Sequence, residues 1–430
     1  MSSKPYIFLF LFSQMLFFSC RGESSHDTNF YFEPQSYTQQ QWLLLESIEQ
    51  TNVLTQKEKA SQVLMTGIDG DTKFPLHLYR HFDGILPGAI LLFSYNIAAT
   101  PKKVHDYIAS CHVAFSEIGR IPVLFSIDHE GGVVNRLSGV TSPLPSARTI
   151  AQSLTPLQAK ELYYYTGLQL MQIGIPMNLG LVAETLTDTN TTFLSTRSYG
   201  SSVDEVTSFV LAAFGGYRNS GVIPVLKHFP GNSSTDPHTG ATVLDVDRET
   251  LEFIYCHPFF TIMESNAPVI LISHAVVDAI DPDRPFCLSP LGVQGFLRDD
   301  HGFTGLALTD DISMTALAGK GTSSADNAVQ ALRSGCDMIL TSDTDISKIV
   351  SSIIDESHKD HVFARRLDEA VANILRVKLE SGLLPTRLEA YARSRSGLSA
   401  SSAYRTFNDD AFFAAKKRAC DILEEADGKP

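Results

Sequence analysis

The sequence predicts a (β/α)8 barrel, an α/β fold in which eight parallel strands alternate with helices around a closed sheet. Short apolar runs recur eight times between residues 62 and 342. The runs are continuous rather than alternating, as expected of strands that are buried on both faces of a parallel sheet. Helical stretches with polar caps separate most of them, and this alternation of strand and helix is typical of parallel α/β folds.

The eight predicted strands are QVLMTGID at 62–69, GAILLFS at 88–94, IPVLFSID at 121–128, MNLGLVAE at 177–184, VIPVLKH at 222–228, VILISHA at 269–275, FTGLALTD at 303–310 and CDMILTS at 336–342. A doubly wound open sheet is the structural alternative. Against it, no GxGxxG motif follows the first run, and no P-loop lysine motif occurs in the sequence.

Helical stretches fill the connections between the strands. They read TPKKVHDYIASCHVAFSEIG at 100–119, TPLQAKELYYYTGLQLMQIG at 155–174, SVDEVTSFVLAAFGGYRNSG at 202–221 and SADNAVQALRSG at 324–335. Residues 345–382 continue as helix, and 409–427 form one more amphipathic helix that we expect on the outside of the barrel. The sequence therefore predicts one barrel domain over 39–385 and a C-terminal helical extension over 386–430.

The N-terminus has the pattern of a secretory signal. Lys4 precedes an apolar run that ends at Phe18, and this run is too short to span a membrane. Cys20 follows the run directly, which predicts a lipoprotein whose mature chain begins at an acylated Cys20. The alternative is an ordinary signal with a chance cysteine. We thus expect a leader over 1–20, a polar tether over 21–38, and an exported, membrane-anchored protein in the periplasm or at the cell surface.

Charge and cysteine content exclude several classes of protein. The formal net charge is −14, and no cluster of Lys or Arg forms a basic stripe, so nucleic acid is not an expected partner. Apart from Cys20 the chain has five cysteines with no CxxC spacing. An odd number at such spacings argues against a disulfide framework and against a structural zinc site.

Charged and titratable residues cluster where the predicted strands end. In barrel enzymes the chemistry lies at the carboxyl ends of the strands and in the loops that follow. Unpaired charges that face one another reduce stability unless a ligand or a mechanism uses them, so this rim is a predicted functional pocket. Its residues are Asp128, Glu130, Glu184, Lys227, His228, His274, Asp310 and Asp311.

Two kinds of hydrolase fit a rim of carboxylates and imidazoles. Barrel metallohydrolases usually present His-x-His at the end of the first strand, but that position reads MTGIDGD, so we expect neither a metal nor a cofactor. A retaining glycosidase needs a carboxylate nucleophile and a proton donor. Either Asp310 or Asp311 is a candidate nucleophile, and His238, with Asp236 to orient its ring, is a candidate acid and base.

Several motifs together resemble one family. KHFPG at 227–231 followed by Asp-x-His, with SIDHEGGVVNRL at 126–137, FLSTRSYG at 193–200 and LALTDDISM at 306–314, is similar to glycoside hydrolase family 3. Within that family the motifs resemble the β-N-acetylglucosaminidase branch, which works on peptidoglycan fragments. The resemblance runs in consistent order from about Gln62 to Thr341.

The resemblance implies a (β/α)8 barrel and assigns roles to residues. It favours Asp310 over Asp311 as the nucleophile, and it matches Asp236 and His238 to a dyad in which histidine acts as the general acid and base. Two departures are visible: the loop GNSSTDP is two residues shorter than is usual and has Pro237 where the family has Ser, and Val133 replaces an arginine. The positions that match residues holding the sugar's hydroxyls are Asp128, Arg136, Arg197, Lys227 and His228.

The predicted protein is therefore a retaining β-N-acetylhexosaminidase that removes terminal β-linked N-acetylglucosamine from cell-wall fragments or related glycans. Its expected partners are a carbohydrate substrate and, through a lipid anchor, a membrane, and the resemblance makes a monomer the default. Three alternatives stay open. They are a family 3 activity of the β-glucosidase type on another sugar, transfer to phosphate instead of water, and a lipoprotein that only binds glycans because its altered loop has lost turnover.

Overall fold

The computed structural model describes residues 38–82, 84–237, 239–318, 322–343, 345–387, 389–390 and 406–427. The predicted leader with Cys20, the tether up to residue 37, and the predicted acid and base His238 lie outside the described residues. No helix within the described ranges is long and apolar enough to cross a membrane.

Eight parallel strands form a closed barrel, which confirms the predicted fold class. Their order in the sheet is β7-β6-β5-β4-β3-β2-β1-β8, and a parallel bridge between Leu308 and Met338 joins the two end strands. Each strand lies in the apolar run that predicted it, and only β5 extends beyond its run, by one residue. The strands are β1 Leu64–Thr66, β2 Ala89–Leu92, β3 Leu124–Ile127, β4 Met177–Val182, β5 Ile223–Phe229, β6 Val269–Ile272, β7 Leu306–Thr309 and β8 Ile339–Thr341.

The strands are buried along almost their whole length. Helices cover the outer face of the sheet and side chains fill its interior, so both faces exclude water. This double burial is the reason that the sequence of each strand is continuously apolar. The closed order also excludes the doubly wound open sheet that the sequence left as an alternative.

Helices connect the strands of the barrel, and further short strands and turns lie within the loops. The helices are Gln39–Asn52, Gln56–Gln62, Leu78–His81, Pro101–Ile118, Ala147–Ser153, Pro156–Ile173, Thr191–Leu194, Val203–Ser220, Arg248–Thr250, the π-helices Leu251–Cys256 and Leu291–Asp300, His257–Glu264, Thr315–Ala318, Ser324–Ser334, Ser347–Lys359, His361–Glu380 and Asp409–Asp427. Two further groups of short strands are His129–Gly131 with Val134–Asn135, and Val243–Leu244 with Val276–Val277 and Asp281–Pro285.

The helix Pro156–Ile173 shows how the sequence sets these boundaries. Thr155 caps its start by accepting a hydrogen bond from the N–H of Gln158, whose side chain accepts from the N–H of Thr155 in return. Pro156 at the first helical position lacks only an N–H that would be unpaired there. Gly174 ends the helix at φ +89°, a left-handed conformation that favours glycine.

The C-terminal helix Asp409–Asp427 packs on the outside of the barrel, as predicted, against the helix Pro156–Ile173. Phe412 is fully buried in this contact region. Lys416 donates through Nζ to the carbonyl oxygen of Val140 at 3.1 Å. These contacts join the extension to the barrel domain.

A lysine is buried at the amino-terminal end of the barrel. Lys378, on the helix His361–Glu380, is fully buried and donates through Nζ to Oε1 of Gln62 at 2.8 Å and to the carbonyl oxygen of Pro122 at 2.7 Å. Both partners are neutral oxygens that precede strands β1 and β3. Burial lowers the pKa of Lys378 to about 7, because no opposite charge compensates for the lost hydration.

We expect this lysine to make the stability of the fold depend on pH. Between its folded pKa of about 7 and its ordinary value of 10.5, the unfolded chain binds one proton more, so the contribution of Lys378 to stability rises with pH. Lys378→Met should remove this rise, whose slope is about 1.4 kcal/mol per pH unit. Urea unfolding of wild type and variant at pH 7, 8 and 9 gives the difference.

The buried Lys59 offers a matched control, because its Nζ pairs with Oδ1 of Asp368 at 2.6 Å. Lys59→Met should keep the rise of the wild-type chain. Parallel pH profiles for wild type and Lys378→Met would contradict the assignment of a neutral amine at this site.

Candidate active site

The carboxyl ends of the parallel strands meet at one rim, and Lys227 lies at its centre. Lys227 is the fifth residue of β5 and is 4% exposed. Its Nζ contacts Oδ1 of Asp128 at 2.6 Å and Oε1 of Glu130 at 2.7 Å. Burial alone would lower the pKa of Lys227, but the two carboxylates outweigh it and raise the pKa. The ammonium group therefore joins the segment after β3 to strand β5.

Arg197 completes this ion cluster from the turn Ser195–Arg197. Its Nε and Nη2 donate to Oε2 and Oε1 of Glu130, both at 2.8 Å, in a bidentate arrangement. Burial acts to raise the pKa of Glu130, but the charges of Lys227 and Arg197 hold it at about 2. The guanidinium group of Arg197 thus pairs directly with Glu130, which stands between the two cations.

His228 is held by Glu184, which follows β4. Its Nδ1 lies 2.6 Å from Oε1 of Glu184, and its Nε2 lies 3.5 Å from Nη2 of Arg197. A carboxylate oxygen only accepts, so Nδ1 carries a proton and donates it to Glu184. Oε2 of Glu184 also accepts from the N–H of Asn232 at 2.8 Å. Glu184 thereby fixes both the ring of His228 and the start of the loop after β5.

The two neighbouring aspartates after β7 have different surroundings. Asp311 accepts through Oδ1 from the N–H groups of Ser313 at 2.9 Å and Ser342 at 3.0 Å. Its carbonyl oxygen accepts from Nε2 of His274 at 2.8 Å. Asp311 is thus committed to holding the loops that follow β7 and β8.

Asp310 is hydrogen-bonded through one carboxylate oxygen. Its Oδ1 accepts from the N–H of Asp311 at 2.9 Å, while its Oδ2 has no hydrogen bond to the described residues. Burial acts to raise the pKa of Asp310, but the charge of His274 first, and then that of His228, outweighs burial and lowers the pKa below its usual range. An ionised carboxylate with one unengaged oxygen is chemically suited to act as a nucleophile.

The loop with Asp236 docks beside the segment that follows Asp310. The side chain of Asp236 is exposed and has an interaction partner. Pro237 is buried, and its carbonyl oxygen accepts from the N–H of Ala316 at 3.1 Å. The main chain therefore brings the position next to His238 to the segment that begins at Asp310, although His238 itself lies outside the described residues.

Arg136 stands apart from the cluster. It follows the short strand Val134–Asn135, is half-buried, and makes no hydrogen bond or ion pair with the part of the chain that the structure describes. Of the other four predicted sugar-binding residues, Lys227 pairs with Asp128 and joins Arg197 through Glu130, and His228 reaches this network through the 3.5 Å contact of its Nε2 with Nη2 of Arg197. The role of Arg136 in binding the sugar stays a prediction.

Sequence reasoning missed the residues that hold the others in place. Glu130 and Glu184 were found as charges at strand ends, but no role was assigned to them. Asn178 was not singled out, although a buried amide inside an apolar strand was a visible signal. No group of three His, Cys, Asp or Glu residues in the described ranges could hold a metal ion.

The chain is similar in sequence to proteins of one family. The model of the Glycosyl hydrolase family 3 N terminal domain matches residues 55–377. Beta-hexosaminidase LpqI of Mycobacterium tuberculosis is 30% identical over 298 residues, which cover 67% of this chain and 73% of that protein. Beta-hexosaminidase of Methylococcus capsulatus is 30% identical over 265 residues, covering 60% of this chain and 76% of the relative.

Solved structures give the same result. A glycoside hydrolase family 3 beta-N-acetylglucosaminidase from Paenibacillus sp. superposes with a TM-score of 0.74 at 25% identity, over 87% of this chain and 69% of the other. The structure of M. tuberculosis LpqI gives a TM-score of 0.68 at 26% identity, over 79% of this chain and 97% of the other.

Glu130→Gln should destabilise the fold by roughly 3–5 kcal/mol at pH 7, as expected when a buried ion pair loses one partner. The folded pKa of Glu130, about 2, is below its ordinary 4.5, so its contribution is complete above pH 4.5 and is lost as the pH falls toward 2. The difference between wild type and variant should therefore shrink over this window. Urea unfolding at pH 7 and pH 3 measures it.

The exposed Glu249 provides the control, since Glu249→Gln should unfold as the wild-type chain does at both pH values. Equal stability of wild type and Glu130→Gln at pH 7 would show that the cluster does not depend on this carboxylate.

Proposed function

Because this chain belongs to glycosyl hydrolase family 3, we propose that it is a retaining enzyme that removes terminal β-linked N-acetylglucosamine from cell-wall fragments or related glycans. The enzyme class predicted from the sequence, a β-N-acetylhexosaminidase, is confirmed by the relatives of that name. The residue roles and the cell-wall substrate are our proposal.

The observation that carries the proposal is the contrast between Asp310 and Asp311. In a retaining hydrolase a carboxylate oxygen attacks the anomeric carbon, so it must be ionised, positioned and not already engaged. Asp310 takes one main-chain N–H and lies beside His274 and His228, which lower its pKa, whereas the carboxylate of Asp311 takes two main-chain N–H groups from the loops after β7 and β8. Asp310 is therefore the nucleophile in the proposed mechanism.

Asp128 is suited to bind the sugar, because one of its oxygens is engaged by Lys227 and its side chain keeps 23% of its exposure, against 4% for that of Glu130. An ionised carboxylate can accept hydrogen bonds from two neighbouring hydroxyl groups of a sugar ring. Glu130 has a structural role instead, because it lies inside the cluster and holds both Lys227 and Arg197 in position. The sugar would then lie between Asp128 and Asp310, across the mouth of the barrel.

Proton transfer falls to Asp236 and His238. As Asp310 forms its bond to the anomeric carbon, the glycosidic C–O bond breaks and protonated His238 gives its proton to the leaving oxygen. In the second step His238 takes a proton from water, whose oxygen displaces Asp310 and restores the free carboxylate. A histidine has an ordinary pKa of about 6.5, so both protonation states are accessible near neutral pH.

Asp310→Ala should abolish release of p-nitrophenol from p-nitrophenyl N-acetyl-β-glucosaminide, with a loss in kcat on the order of 10⁴-fold or more, as is typical when a covalent nucleophile is removed. Asp311→Asn is the matched control, because its Oδ1 still accepts from Ser313 and Ser342. This variant should retain turnover. A 5-fluoro glycoside that labels Asp311 instead of Asp310 would overturn the assignment.

His238→Ala should separate the two steps. p-Nitrophenol is a good leaving group and needs little protonation, so the glycosyl-enzyme should still form, while its hydrolysis becomes slow because no base activates water. We expect a burst of p-nitrophenol followed by a slow steady state. Sodium azide, an anionic nucleophile that needs no base, should restore turnover in His238→Ala and release a β-glycosyl azide, whereas azide that replaces the missing carboxylate of Asp310→Ala would release the α-anomer. An α-glycosyl azide from His238→Ala would argue against these roles.

We also propose that Cys20 carries a lipid that anchors the enzyme in a membrane, because it directly follows an apolar, signal-like run. The chain expressed in a bacterium that processes lipoproteins should then partition into the detergent phase of a Triton X-114 extract. Cys20→Ser should move it to the aqueous phase. Equal partition of both forms would leave an ordinary export signal as the explanation.

A further inference from the structure

Asn178 holds the stretch of chain that carries Asp128 and Glu130. It lies on β4 and is 1% exposed. Its Oδ1 accepts from the N–H of His129 at 3.0 Å, and its Nδ2 donates to the carbonyl oxygen of the same residue, also at 3.0 Å. Because a main-chain N–H only donates and a carbonyl only accepts, these partners fix the orientation of the amide.

This contact lies where the backbone pairing of β3 with β4 ends. Ile127 pairs with Asn178, and the chain then leaves the sheet for the hairpin of His129–Gly131 with Val134–Asn135. A side-chain amide presents the same donor and acceptor as a peptide group. Asn178 therefore extends the attachment of β3 to β4 by two residues, to His129, without a backbone ladder.

Gly180 provides the room for this contact. A Cβ atom at this position would lie 2.3 Å from the carbonyl oxygen of His129 and 2.7 Å from Nδ2 of Asn178. Any other residue would push His129 away from the amide. Asn178 holds the main chain of His129 by hydrogen bonds, and Gly180 allows its close approach.

We propose that Asn178 is a positioning residue for the carboxylates that bind and organise the sugar site. Side chains at alternate positions of an extended chain project to the same side. Asp128 and Glu130 flank His129, and both reach Nζ of Lys227, at 2.6 and 2.7 Å. Holding the main chain of His129 thus holds both carboxylates against Lys227. This role rests on the proposed function, because it assigns Asn178 to sugar binding.

Asn178→Asp tests the proposal with almost no change in shape. One oxygen still accepts from the N–H of His129, but an ionised carboxylate cannot donate to the carbonyl oxygen of that residue. With p-nitrophenyl N-acetyl-β-glucosaminide, KM at pH 7.5 should rise about tenfold, the effect of losing one buried hydrogen bond. The change in kcat should be smaller, because Asp310 lies on the segment after β7.

The same variant should recover as the pH falls. A protonated carboxyl group donates through its O–H, so it restores both hydrogen bonds to His129. Burial favours this neutral form, so KM relative to wild type should fall toward one between pH 7.5 and pH 5. Loss of folding alone would lower the apparent kcat through the folded fraction and leave KM unchanged.

Asn96→Asp is the matched control. The Asn96 amide is also buried and also holds main chain at the carboxyl end of the barrel, since it accepts from Phe93 at 2.9 Å and donates to Ile68 at 2.7 Å and Gly70 at 2.8 Å. It has no contact with the carboxylate cluster. We expect lower stability for this variant and an unchanged KM.

Gly180→Ala is the second variant, and it tests the positioning role if Asn178→Asp does not fold. It keeps the amide but displaces His129, so KM should rise at every pH without recovery. Wild-type KM values in these two variants would overturn the positioning role while leaving the hydrolase intact. If the wild-type chain shows no turnover, the proposed function fails, and calorimetric Kd values for N-acetylglucosamine across the same variants then decide the positioning role.

Discussion

The ammonium group of Lys227, buried between two carboxylates, is the interaction on which the geometry of the rim depends. A buried charge is stable only where opposite charges replace its hydration. Asp128 and Glu130 do so at 2.6 and 2.7 Å, and Glu130 in turn binds Arg197. The segment after β3, the loop after β4 and strand β5 are therefore tied at one point, and none can shift alone without leaving a charge unpaired.

The network also divides its members by exposure. Glu130 and Glu184 are buried, and their carboxylates pair with groups inside the protein. Glu130 lies between Lys227 and Arg197, and Glu184 contacts Nδ1 of His228. Asp128 and Asp310 are half-buried and each keeps an oxygen that the described residues do not engage. The two buried glutamates hold other side chains in place, and the two half-buried aspartates are available to a sugar.

The strands could be predicted from the sequence because each is buried on both faces, which leaves a continuous apolar run. The partner of Arg197 could not be predicted, because Arg197 lies in a short turn and its distance to β3 depends on how β3 and β4 pack. Sequence position also could not separate Asp310 from Asp311, since both follow the same strand. Their difference comes from Ser313 and Ser342, which only the fold brings to Asp311. Asn178 was visible as a polar residue in an apolar strand, but its partner is the main chain of His129, and that contact leaves no sequence signal.

The two ends of the barrel show that surroundings, not residue type, decide what a buried group does. Lys227 and Lys378 are both buried lysines, one at each end of the barrel. Carboxylates raise the pKa of Lys227, so its charge is permanent and can hold Asp128 in place for a ligand. Neutral oxygens leave the pKa of Lys378 at about 7, so it serves as a hydrogen-bond donor that closes the amino-terminal end. The charge of Lys227 is thus retained at the end where the strands of a barrel carry chemistry, and Lys378 closes the opposite end as a hydrogen-bond donor.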